Sequence, residues 1–212
     1  MKVNTALEAV ADIKSGHNIF IHTAAAAPLP LVEALTQRAD ELSNITIYQM
    51  HTEGPAPYTD ALYHDAFEVN ALFIGKNCRT AVNEGRANFI PCFLSEVPIM
   101  IRGGVIPVDV ALIQVSPPDK KGFCSLGVSV DTTRAAIEKA SLVIAQVNPR
   151  MPRTHGDSFI HTSHIHKMVE IQTELPEHAP AELSEVEKQI GQHIAGIIED
   201  GATLQMGIGS IP

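Results

Sequence analysis

Apolar residues recur along this chain in two alternating rhythms. The run Asn18-Ile19-Phe20-Ile21-His22-Thr23 has strand character, residues 24–28 form a small-residue turn, and residues 29–42 place Leu31, Val32, Leu35, Ala39 and Leu42 at helical spacing. A second strand follows over residues 44–50. Strand, helix and strand in that order predict a βαβ unit, and such units build parallel sheets.

The same alternation continues. Residues 71–75 and 89–94 read as short buried strands, and residues 108–116 as a longer one. Residues 117–122 form a loop and residues 123–130 a further candidate strand. Asp131 is suited to cap a helix over residues 132–140. Residues 142–147 are apolar almost throughout, as expected of a strand covered on both faces. Residues 167–172 complete the series. The pattern predicts an open, mainly parallel α/β sheet flanked by helices.

Residues 173–183, with Pro176, Pro180 and several Glu, read as a linker. Ser184 then opens a helix, with Glu187 three residues on as a capping box. Val186, Ile190, Ile194, Ile197 and Ile198 form its apolar stripe, and Gly201 suits its C-terminal cap. A strand over residues 203–206 and the turn Gly207-Ile208-Gly209-Ser210-Ile211-Pro212 follow. The expected organisation is a first domain over residues 1–183 and the start of a second over residues 184–212. An isolated helix and strand leave apolar surface exposed, so residues after 183 are expected to require a partner for order.

Composition narrows the functional classes. A net charge of −9 with no Trp argues against nucleic acid, which wants a basic face and stacking platforms. No apolar run is long enough to span a bilayer, and the polar N-terminal segment does not resemble a secretory signal. Cys78, Cys92 and Cys124 are odd in number and far apart, which fits a reducing, cytoplasmic compartment.

Four segments carry candidate chemistry. In Gly207–Pro212 two glycines permit close backbone approach to a ligand, although Pro212 stands where a dinucleotide fingerprint needs a third glycine. His51-Thr52-Glu53-Gly54-Pro55-Ala56-Pro57-Tyr58 follows a strand, where open sheets place function, and Thr52 and Gly54 suit contact with a carboxylate. His155, His161, His164 and His166 are clustered, with His164 and His166 on one face of a strand, but their spacing matches no recognised metal set and no metal is assigned. Lys76, Arg79, Arg86, Arg102, Lys120 and Lys121 are the cations an anionic ligand would find in an acidic protein; a solvated helix face is the better account of any single one of them. Cys78 and Cys92 adjoin apolar sequence and read as buried.

Taken together, these segments are more specific than any one of them. Residues 51–58, Val82-Asn83-Glu84-Gly85-Arg86-Ala87-Asn88-Phe89-Ile90-Pro91, Phe93-Leu94-Ser95-Glu96-Val97-Pro98, residues 109–119, Ala145-Gln146-Val147-Asn148-Pro149-Arg150-Met151-Pro152-Arg153-Thr154-His155-Gly156-Asp157 and Gly207–Pro212 resemble the acetyl-CoA hydrolase/transferase family. Within it the chain is most similar to the 4-hydroxybutyrate CoA-transferase branch. The resemblance implies a two-domain enzyme of the CoA-transferase-like α/β class with its active site between the domains. It implies transfer of CoA from a short-chain acyl-CoA (4-hydroxybutyryl-, butyryl- or acetyl-CoA) to a carboxylate such as acetate, through a glutamyl-CoA thioester. Coenzyme A enters as substrate, with no permanently bound cofactor, and a homodimer is expected.

The resemblance places Gly207, Ile208, Gly209, Ser210 and Ile211 in the CoA-binding segment, and the nucleophilic glutamate beyond Pro212. Glu53, Glu84 and Glu96 do not match that glutamate. The chain alone is therefore expected to be inactive. Acyl-CoA hydrolase is the rival within the same chemistry, and a non-catalytic nucleotide-binding or regulatory module the rival outside it.

Overall fold

The computed structural model describes residues 1–177, 179 and 182–207. Its strands are β1 (Lys2–Val3), β2 (Asn18–Ile21), β3 (Ile45–Gln49), β4 (Phe67–Ala71), β5 (Ala87–Phe89), β6 (Val110–Val115), β7 (Phe123–Ser125), β8 (Leu142–Val147), β9 (Phe159–His161) and β10 (Lys167–Glu170). Its helices are α1 (Ala6–Val10), α2 (Leu29–Thr36), α3 (Arg79–Asn83), α4 (Val97–Arg102), α5 (Thr133–Lys139) and α6 (Glu185–Ala195).

Eight strands form one sheet in the order β1-β10-β8-β6-β2-β3-β4-β5. Every neighbouring pair is parallel. Side chains alternate between the faces with the period of two that a strand imposes. Ile19, Ile21, Ile47, Val110 and Leu112 pack with Leu31 and Leu35 of α2 on one face. Phe20 and Tyr48 meet Val97 and Ile101 of α4 and Ala135 and Ala136 of α5 on the other, with Ala111, Ile113 and Val143 extending that side. All six residues of β6 are buried, which is why it reads as apolar at every position but Gln114. A separate antiparallel pair, β7 and β9, lies outside the main sheet.

Several boundaries differ from the sequence pattern. The helix expected over residues 29–42 ends at Thr36, whose hydroxyl donates 2.9 Å back to the Val32 carbonyl, and a 3₁₀ turn at Ala39–Glu41 follows. The strand expected at 71–75 is β4, four residues earlier, because its register pairs Phe67 with Ile45 and Ala71 with Gln49. The strand expected at 89–94 is β5, and residues 123–130 yield only β7. The N-cap of α5 is Thr132 rather than Asp131, because the helix starts one residue later than expected; the Asp131 carboxylate, just before the cap, accepts from the Thr132 and Thr133 amides.

Residues Met1–Pro176 and Glu177–Pro212 form two compact units. In the second, α6 carries the expected capping box: the Ser184 hydroxyl accepts from the Glu187 amide and the Glu187 carboxylate from the Ser184 amide. The helix ends at Ala195, before Gly201, and none of its residues is buried. Residues 202–207 are irregular and exposed rather than a strand. A strand is stabilised by ladder bonds to a neighbour, and among the described residues none pairs with this segment.

Candidate active-site edge of the sheet

Because the strands are parallel, their carboxyl ends lie along one edge. From β2 the chain steps outward to β3, β4 and β5, then returns to β6 on the opposite side of β2 and continues to β8 and β10. The direction of winding therefore reverses between β2 and β6. A reversal of this kind opens a crevice at the carboxyl ends, where open α/β sheets bind ligands.

Buried polar side chains tie this edge together. His22, at the end of β2, is fully buried. Its Nδ1 accepts from the Gln114 amide at 3.1 Å, so the ring proton sits on Nε2, which donates to the Ser129 carbonyl at 2.7 Å. Burial pushes the His22 pKa below the ordinary imidazole value, against a smaller opposing pull from bonded backbone and from the Asp131 charge. Thr23 shares the Asp131 carboxylate with Ser129. The Gln114 side-chain Nε2 donates to the Ala26 and Ala27 carbonyls at 3.3 and 3.2 Å, and its Oε1 accepts from Asn148 at 2.6 Å. Asn148 also donates to the Thr173 carbonyl at 2.9 Å. The ends of β2, β6 and β8 and the segment after β10 are thereby fixed to one another.

The loop after β3 is zipped to the loop after β2. Ala24 donates to the His51 carbonyl at 2.7 Å, and Glu53 to the Ala24 carbonyl at 3.1 Å. Ala24 is held at φ +50, a left-handed conformation that alanine rarely adopts. The two sequence-nominated residues, Thr52 and Gly54, lie in this loop and share one partner. Asn77 Nδ2 reaches the Thr52 carbonyl and hydroxyl, both at 2.9 Å, and the Gly54 carbonyl at 3.0 Å. Gly54 has φ +85, a conformation that favours glycine, and a Cβ there would lie 2.8 Å from Leu29 Cδ1, so the Leu29 side chain would have to shift. Asn77 Oδ1 is buried without a donor among the described residues. A cavity of about 510 Å³ opens beside this loop, bordered by Thr52, Gly54, Phe73, Gly75, Lys76 and Arg79.

The other nominated residues are dispersed. Gly207 is exposed and irregular, and Ile208, Gly209, Ser210 and Ile211 lie outside the described residues. His164 sits in a 3₁₀ turn and His166 just before β10, not together on a strand. His166 Nδ1 accepts from the Val143 amide at the amino end of β8, on the edge opposite the crevice. The His155 ring packs edge-on against Phe159. Among the described residues no three His, Cys, Asp or Glu are grouped as metal ligands. Arg86 and Arg102 are ion-paired with Glu84 and Glu138. Cys78 and Cys124 are buried, as expected for Cys78, and burial raises the Cys124 thiol to about 11. Sequence reasoning passed over His22, Asn77, Gln114 and Asn148. Each is a polar residue in or beside an apolar strand, and that was the available signal.

An open parallel sheet with a polar, cross-braced carboxyl edge and a reversal beside β2 defines an open α/β domain of the CoA-transferase type. The chain belongs to the acetyl-CoA hydrolase/transferase N-terminal domain family, which it matches over residues 1–179. It is 49% identical over 211 residues to a 4-hydroxybutyrate coenzyme A transferase of Clostridium kluyveri, covering 100% of this chain and 49% of that protein. It is 49% identical over 203 residues to a succinyl-CoA:acetate/propanoyl-CoA:succinate CoA transferase of Fasciola hepatica, covering 94% of this chain and 42% of that protein. The solved structure of RipA from Yersinia pestis superposes with a TM-score of 0.93 at 28% identity, over 100% of this chain and 51% of RipA. The chain thus spans about half the length of the relatives it matches.

Proposed function

We propose that this chain forms the N-terminal part of a CoA-transferase that exchanges CoA between a short-chain acyl-CoA and a free carboxylate. The observation that carries this reading is the 49% identity, sustained over the whole chain, to a 4-hydroxybutyrate coenzyme A transferase. In this reading residues 1–183 are the first domain and residues 184–212 open the second. Gly207, Ile208, Gly209, Ser210 and Ile211 contact CoA, and Thr52 and Gly54 form part of the acyl wall.

The chemistry proposed is covalent. A glutamate supplied by sequence after Pro212 attacks the thioester carbonyl and CoA leaves as thiolate, giving an acyl-glutamyl anhydride. The thiolate then attacks the glutamyl carbonyl, the acyl group departs as carboxylate, and a glutamyl-CoA thioester remains for the acceptor carboxylate to resolve by the reverse steps. The contribution of this chain is a rigid wall. The Asn77 clamp and the Gln114–Asn148 bridge hold the carboxyl-edge loops in one geometry, as positioning of reactants demands.

The test is CoA exchange between butyryl-CoA and acetate, assayed for residues 1–212 and for the complete gene product. Exchange by the complete protein and none by residues 1–212 is expected. Turnover by residues 1–212 alone overturns the assignment of the glutamate. Release of free CoA at the same rate with and without acetate identifies a hydrolase instead. Among the described residues no helix is long and apolar enough to cross a membrane. A homodimer in the cytoplasm belongs to the same reading, and light scattering on the purified protein checks the assembly.

A further inference from the structure

We propose that a cavity between α5 and the β7–β9 pair binds a compact apolar monocarboxylate of roughly six to eight carbons. The inference stands apart from the CoA-transferase reading and gives this chain a second site, away from the crevice. The cavity measures about 560 Å³, within the range usual for small-molecule sites. Val143 and His166, which border it, stand at the amino end of β8. The Thr52–Gly54 loop, by contrast, follows the carboxyl end of β3.

The lining selects an apolar body. Leu126, Val143 and Ile160 are buried and face the cavity. Ile137 of α5 and Ala140, just after it, are partly buried and pack on the same cluster. The Phe123 ring adds an aromatic side, held edge-on to His161 with 5.0 Å between ring centroids.

The rim selects the head group. His164 and His166 flank Ile165, which is turned inward at 5% exposure, so both imidazoles are left on the outside. His166 Nδ1 accepts from the Val143 amide at 2.9 Å, which puts the ring proton on Nε2. That donor, and both ring nitrogens of His164, have no partner among the described residues. His161 is committed: Nδ1 accepts from the Ser163 amide at 3.2 Å and Nε2 donates to the Lys121 carbonyl at 3.1 Å. Arg134 uses Nη1 on the Asp157 and Phe159 carbonyls and on the Asp157 carboxylate, leaving its other N–H groups unused. The acids are already matched, Glu138 with Arg102 at 2.7 Å and Asp157 with Arg134 at 3.1 Å. The unused polar groups are thus rich in N–H donors, and one belongs to a guanidinium. A carboxylate suits that set better than an alcohol or an amine, because a charge-assisted hydrogen bond is about twice as strong as a neutral one.

The experiment titrates the complete protein with 4-fluorobenzoate and follows the fluorine resonance by NMR. Binding with a Kd of about 0.1–1 mM is expected for so small a ligand. 4-Fluorobenzyl alcohol, which has the same ring without the charge, is expected to bind about tenfold more weakly. His164→Ala removes an exposed side chain that holds nothing else, and should weaken 4-fluorobenzoate about fivefold. Ala140→Leu fills the cavity and should abolish binding, with a thermal melt to confirm folding. Should Ala140→Leu fail to fold, His164→Ala carries the test. No binding up to about 10 mM overturns the proposal. So does equal affinity for the alcohol, or an affinity unchanged in His164→Ala, which would place the ligand elsewhere.

Discussion

Asn148, at the end of β8, donates a 2.6 Å hydrogen bond to Gln114 Oε1 on the adjacent strand β6. Both side chains are buried, at 0% and 2% exposure: Gln114 sits in β6, whose other residues are apolar, and Asn148 directly follows β8. Gln114 passes the connection on to the Ala26 and Ala27 carbonyls, so one amide couples three loops of the carboxyl edge. Replacing Gln114 with Leu keeps the bulk but leaves the buried Ala26 carbonyl without its donor and removes one acceptor from the Asn148 amide, which keeps Thr173. An unsatisfied buried polar group costs roughly 1–3 kcal/mol. Urea denaturation should show a loss of that order, and amide exchange should quicken around residues 24–28.

Asn77 should prove a positioning residue. Asn77→Ala removes the donor shared by Thr52 and Gly54, and Asn77→Asp replaces it with an acceptor facing two carbonyl oxygens. Hydrogen exchange is expected to rise over residues 52–56 in both, more in Asn77→Asp, while β6 and β8 keep their protection. Unchanged exchange in that loop would show that the zipper to Ala24 suffices.

Gly54→Ala meets two obstacles at once. The left-handed backbone costs an alanine about 1 kcal/mol, and the new methyl collides with Leu29. A melting temperature lowered by several degrees is expected, about 4–8 °C per kcal/mol in small domains and less at this size. Adding Leu29→Ala should relieve the collision relative to its own single variant and leave the backbone cost in place.

The depressed pKa of His22 makes stability depend on pH. The unfolded chain titrates this imidazole near its ordinary value of 6.5, whereas the folded protein keeps it neutral to lower pH. Between those two values the unfolded state binds more protons, so stability falls as pH drops below about 6.5, by at most about 1.4 kcal/mol per pH unit for one group. Protonation would also put a hydrogen on Nδ1, facing the Gln114 amide. Denaturation at pH 7.5 and 5.5 should show this loss in the native protein and a flatter response in His22→Gln.

The period of hydrophobic residues was enough to locate most of the sheet. Residues 18–23, 44–50, 108–116 and 142–147 were legible because central parallel strands are apolar on both faces. The outer strands were misplaced where that signal thins. In β4, Phe67, Val69 and Ala71 alternate with the exposed Glu68 and with Asn70, a weaker apolar signal than the adjoining run at 71–75. The capping box at Ser184 was legible because it is wholly local, and the strand at 203–206 was not formed because a strand depends on a neighbour.

The candidate site divides the same way. Thr52 and Gly54 stood out as a Gly-Pro loop after a strand, and residues 51–58 carried much of the family resemblance. Their partner Asn77 lies 25 residues from Thr52, and His22 meets Gln114 across 92 residues. By itself the sequence determined the parallel α/β class, the family and the loops to watch, because periodicity, caps and motifs are written in neighbouring residues. Only the tertiary structure decided which buried amides brace the carboxyl edge and which histidines border one cavity, because hydrogen bonds and packing depend on residues that folding alone brings together.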